Sequence, residues 1–77
     1  MAHNAFIAKM HSDELRDTLF FCGCEYTREK SKERGQLTYT YTTPKFTLVV
    51  SGRNIRIDNE KFTRVNDAKK RIVSIMI

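Results

Sequence analysis

The stretch Gln36-Leu37-Thr38-Tyr39-Thr40-Tyr41-Thr42 (QLTYTYT, residues 36–42) puts Leu37, Tyr39 and Tyr41 on one side of an extended chain and Thr38, Thr40 and Thr42 on the other. Period-two alternation in aromatic and β-branched residues is the pattern of a strand with one buried face. Thr43-Pro44 interrupts it, because proline lacks the ladder donor and suits a turn. Alternation resumes over residues 46–51 (FTLVVS), with Phe46, Leu48 and Val50 sharing a side. Gly52-Arg53 fits a two-residue hairpin loop, with glycine supplying the positive φ of a type II′ turn. Residues 54–58 (NIRID) then return with Ile55 and Ile57 inward. Ahead of these, residues 24–29 read as a strand and residues 30–35 (KSKERG) as a charged loop closed by a turn glycine. The centre of the chain predicts an antiparallel meander of three or four strands.

Helical patterning flanks the meander. Ser12 followed by Asp13 and Glu14 reads as a helix start, since the Ser oxygen can accept an orphan N–H and two acids complement the positive dipole end. Leu15, Leu19 and Cys22 recur at helical spacing, and Gly23 stands where a left-handed residue ends a helix. This predicts a helix over residues 13–22. Residues 2–10 fit either a short helix, continuous or kinked with the next, or an alternating edge strand with Phe6, Ala8 and Met10 on one face. At the other end, Asn66 can cap a helix whose stripe is Ala68, Ile72, Ile75 and Met76. The β-branched Ile72, Val73, Ile75 and Ile77 suit a closing strand as well. Helix is favoured, because Lys69, Lys70 and Arg71 form a charged arc beside a single apolar stripe.

Together these elements predict an α+β fold of two layers, an antiparallel three- to four-stranded meander with both helices on one face. The expected core is Leu15, Leu19, Leu37, Tyr39, Phe46, Leu48, Val50, Ile55, Ile57, Ile72 and Ile75. Tyr39 and Tyr41 are expected to pack under the helices with their hydroxyls at the rim. The 77 residues support one domain, residues 1–77. No apolar run approaches the length of a membrane span, and residues 1–10 lack the basic start and apolar stretch of a signal peptide. The expectation is a soluble cytoplasmic protein that begins at its own methionine.

Little in the sequence points to a reaction. A disulfide between Cys22 and Cys24 would be strained, so the pair reads as free thiols. His3, His11, Cys22 and Cys24 match no zinc spacing, so no metal and no cofactor is expected. Neither histidine stands near a Ser or Cys in a nucleophile motif, and the three glycines are isolated turn residues rather than a phosphate loop. The sequence is not read as an enzyme.

Charge is more informative. The formal net charge is +5. Residues 1–27 carry Lys9 and Arg16 against Asp13, Glu14, Asp17 and Glu25, so all the excess positive charge belongs to the remainder of the chain. Such asymmetry favours polyanionic partners or acidic protein surfaces. In an extended segment Arg28, Lys30, Lys32 and Arg34 project to one side and Glu29 and Glu33 to the other. Lys69, Lys70 and Arg71 form a second cluster near a helix N-terminus, where they oppose the dipole. Arg53, Arg56 and Arg64 can supply a third set from the sheet end.

The α-β-β-β-α order, with Arg28–Arg34 and Lys69-Lys70-Arg71 in their places along it, resembles double-stranded RNA-binding domains. Small toxin ribonucleases of the HicA type share that order. In the RNA-binding family the resemblance implies phosphate contacts from the loop between the first strands and from a lysine cluster opening the second helix. The Gly-Pro-x-His pattern of that family is missing here. So is the toxin's strand histidine, because Gly35 is followed by Gln36 and Leu37.

The leading expectation is a small basic accessory protein that binds RNA or DNA through phosphates, using Arg28, Lys30, Lys32, Arg34, Arg53, Arg56, Lys69, Lys70 and Arg71. The alternative is an inhibitor or adaptor of the phage or mobile-element type. It would grip an acidic or nucleic-acid-handling host protein through the same basic face or an open strand edge. An open edge also makes a homodimer by strand pairing a further expectation.

Overall fold

The structure, a computed structural model describing residues 2–77, runs α1 (Ala2–Phe21), β1 (Thr27–Glu33), β2 (Gln36–Thr42), β3 (Thr47–Ser51), β4 (Asn54–Ile57), β5 (Glu60–Phe62) and α2 (Val65–Met76). The strands form one antiparallel sheet in the order β1-β2-β3-β4-β5. This is the expected α+β meander with two helices, extended to five strands.

α1 is one continuous helix, and the start expected at Ser12 lies in its middle. Its buried stripe is Ala8, Ser12, Leu15 and Leu19, each fully enclosed. The spacing of four, three and four residues is helical throughout. Ser12 is therefore a core residue rather than a cap. Its hydroxyl hydrogen-bonds the Tyr41 hydroxyl, which also reaches the Ser12 carbonyl at 3.3 Å. Tyr41 thus lies buried to its tip, not with a hydroxyl at the rim. The helix ends as Gly23 predicts: at φ 68° its N–H donates to the Phe20 carbonyl, and the Cys24 N–H donates to the Leu19 carbonyl. That is a Schellman closure, and Cys24 and Leu19 add its apolar contact inside the core.

One face of the sheet carries Leu37, Tyr39, Tyr41, Leu48, Val50, Ile55 and Ile57, all buried, with Phe62 half-buried. α1 lies over β2 and β3, while α2 lies over β4 and β5. Among the described residues neither helix contacts β1. Ala68 and Ile72 fix α2 to the sheet, so packing outweighs the β-branched propensity of the tail. The other face is open and rich in hydroxyls: Thr38, Thr40, Thr42, Thr47 and Ser51.

The segment expected as a charged loop is mostly strand. Lys30, Ser31, Lys32 and Glu33 pair with Tyr39, Thr38, Leu37 and Gln36. The turn is only Arg34-Gly35, with φ 54° and 79°, and two positive φ values make it type I′. Gly52 at φ 58° opens the β3–β4 turn as expected. Between β2 and β3, Thr43 holds the turn: its Oγ1 accepts from the Lys45 and Phe46 N–H groups and donates to the Phe46 carbonyl at 2.8 Å.

Candidate nucleic-acid interface

The meander sends its connections to opposite ends of the sheet. Glu33 pairs with Gln36, and Thr38 with Ser51, which in turn pairs with Asn54. The β1–β2 turn, the β3–β4 turn and the link from β5 to α2 therefore all lie at one end. Each carries an arginine: Arg34, Arg53 and Arg64. All three are exposed, and none forms an ion pair with a described side chain. They span roughly 17 Å, three and a half strand spacings of about 4.8 Å. The opposite end carries Glu25, Lys45 and Asp58 on its connections, so the charge is polarised along the strands.

α2 starts at this basic end. Its N-cap is Arg64, in extended conformation at φ −117° and ψ 131°, and no side chain caps the helix. Asn66, the expected cap, lies inside the first turn. The helix N-terminus thus offers backbone N–H groups and a positive dipole end beside two cations, Arg64 and Lys70, and two acids, Asp67 and Glu14. A cleft there is walled by Met10, His11, Glu14, Thr63, Asn66 and Lys70.

The three basic sets have different fates. Arg28, Lys30 and Lys32 share the helix-side face of β1, as register with Tyr41, Tyr39 and Leu37 requires. With no helix above β1, they project from a bare sheet edge. Successive cations are about 6.8 Å apart, and the row leads to Arg34. Arg28 sits 5.7 Å from the centre of the Tyr39 ring, a cation–π contact. The neighbouring Tyr41, followed by Tyr39 and Tyr26, raises the guanidinium pKa above its ordinary value.

The α2 cluster is divided. Lys69 pairs with Glu14 of α1 at 3.6 Å, and Arg71 with Glu60 of β5 at 2.7 Å. These two tie the helix to its neighbours, and only Lys70 faces the basic end. Arg56 lies apart from the other expected contacts, on the open face, directly across from Lys61. Sequence reasoning missed Lys61 because β5 has three residues and one apolar side chain.

Among the described residues no helix is long and apolar enough to cross a membrane, and no three His, Cys, Asp or Glu side chains gather as metal ligands. Cys22 and Cys24 are free thiols. No protein family, curated protein or solved structure matches this chain.

Proposed function

We propose that the protein binds nucleic acid through backbone phosphates, with Lys32, Arg34, Arg53, Arg64 and Lys70 as the main contacts. The observation that carries this reading is the placement of Arg34, Arg53 and Arg64 on the three adjacent connections of one end. Arg28 and Lys30 extend the basic surface along β1. Cations on rigid strand ends suit a polyanion with regularly spaced charge, and the uncapped α2 N-terminus adds backbone donors for a phosphate. The reading is one of binding, with no reaction assigned to this end.

Mobility shift with duplex and single-stranded RNA and DNA at low salt tests it. Retention of at least one of these is expected, weakened in Arg34→Gln/Arg53→Gln. Absence of any shift would sink the proposal. A second reading rests on β1, whose outer backbone groups have no partner strand. An acidic segment of another protein could extend the sheet there. Recovery of one protein in stoichiometric amount from a pull-down, unchanged by nuclease, would favour that partner instead.

A further inference from the structure

Register places Glu29, Thr40, Val49, Arg56 and Lys61 in one row across the open face of the sheet. Arg56 and Lys61 are direct cross-strand neighbours, an arrangement in which like charges repel and destabilise a sheet. The carboxylates of the neighbouring strands are engaged elsewhere or distant. Asp58 accepts the Thr47 N–H at 3.0 Å, and Glu60 faces the other side and pairs with Arg71. Glu29, the acid of the row, is three strands from Arg56, roughly 14 Å.

The two cations border an open cleft of about 400 Å³. Val49 gives it an apolar wall, and Ser51 and Thr63 give it hydroxyls. Ser51 is already oriented, since Gln36 Nε2 and Thr38 Oγ1 both donate to its Oγ. With its lone pairs engaged, its own proton is left to donate. The volume lies in the range of small-molecule sites. A cationic pair, an aligned hydroxyl donor and an apolar wall together suit a ligand with an anionic group on a ring-bearing body.

We propose that this cleft binds a phosphate-bearing ligand of nucleotide size. Arg56 and Lys61 hold the phosphate, Ser51 donates to it, and the ring lies against Val49. The ligand attracts both cations at once, which offsets the repulsion that the free protein carries. The site is on the open face, and its Ser51 and Thr63 border the basic end that carries Arg53 and Arg64. A free nucleotide and one nucleotide of a flexible strand present the same chemistry.

Backbone amide NMR of the full chain separates these sources. A 5′-mononucleotide, a short single-stranded oligonucleotide and inorganic phosphate are titrated in turn. Shifts centred on Val49, Ser51, Arg56, Lys61 and Thr63 are expected with the mononucleotide, or with the oligonucleotide alone if the source is a strand. Inorganic phosphate should bind more weakly for want of the apolar wall. Arg56→Gln or Lys61→Gln should weaken binding roughly tenfold or more, the scale of one hydrogen bond to a charged group. Lys61→Arg should retain it. Lys61→Glu should abolish it while raising the Tm, which separates loss of the site from loss of fold. Lys32→Gln/Arg34→Gln should leave these shifts intact even where polymer binding falls. Absence of shifts with both the mononucleotide and the oligonucleotide at millimolar concentration, shifts located elsewhere, or inorganic phosphate binding as tightly as either would overturn the proposal.

Discussion

Ser12 and Tyr41 show how one polar residue can change the reading of a helix. Ser-Asp-Glu is a helix opening by local chemistry, yet Ala8, Ser12, Leu15 and Leu19 continue a single buried stripe through it. The hydroxyl masked that stripe, because a serine at an apolar position looks like a break in the pattern. In the core it meets a partner that satisfies it, another buried hydroxyl. Tyr41→Phe should cost about 1 kcal/mol, the net value of one hydrogen bond. Ser12→Ala should cost less, because the Tyr41 hydroxyl keeps the Ser12 carbonyl. The double variant should be more stable than the two single losses summed, a coupling that denaturant unfolding of all four proteins measures. Additivity would show that the pair does not interact. Arg34 offers a second test at this scale. Its φ of 54° is unfavourable for a long side chain, while asparagine ahead of glycine is preferred in a type I′ turn. Arg34→Asn is expected to gain roughly 0.5–1 kcal/mol and to lose nucleic-acid affinity. A variant that binds as tightly as the parent would remove Arg34 from the interface.

Among the elements, β1 was legible only at its start: residues 24–29 read as a strand, but the charges of residues 30–35 suggested a loop and no apolar residue there marked a buried face. β2 supplies the reason it is a strand: a central run with Leu37, Tyr39 and Tyr41 buried needs a ladder partner on both sides. An edge strand can meet that need with charged side chains, and the charges protect it. Parity makes the protection specific. A two-fold pairing of β1 with β1 of a second copy must be antiparallel with helices on the same side, so even-numbered residues meet even-numbered ones. Arg28, Lys30 and Lys32 would face one another in every such register. The edge that allows a homodimer in principle therefore opposes one in practice. Lys30→Thr/Lys32→Thr should self-associate where the parent does not, as sedimentation velocity would report. A parent that dimerises through this edge, or a variant that stays monomeric, would contradict the parity argument. The flanking hairpin was legible because Gly52 and the alternation around it agree. β5 was not, since three residues carry too little pattern.

Over the whole molecule, sequence showed that positive charge is concentrated after residue 27 but not how the fold distributes it. Lys69 and Arg71 read as surface charge in a linear view. Their ion pairs with Glu14 and Glu60 arise only when α2 docks between α1 and β5. Arg34, Arg53 and Arg64 lie far apart in sequence and become neighbours because a meander returns every second connection to the same end. Salt dependence distinguishes charge so assembled from charge spread evenly. Five phosphate contacts, from Lys32, Arg34, Arg53, Arg64 and Lys70, imply a log–log slope of affinity against salt of about −4.5 on duplex DNA. Arg34→Gln/Arg53→Gln removes two contacts and should flatten the slope by about 1.8. Lys69→Gln/Arg71→Gln removes the same formal charge but only structural ion pairs. It should leave the slope unchanged and lower stability by at most about 1 kcal/mol, the scale of exposed pairs. Titrating all three proteins against one duplex across a salt series decides the matter: equal flattening in both variants would mean that net charge alone, and not the end of the sheet, attracts the polyanion.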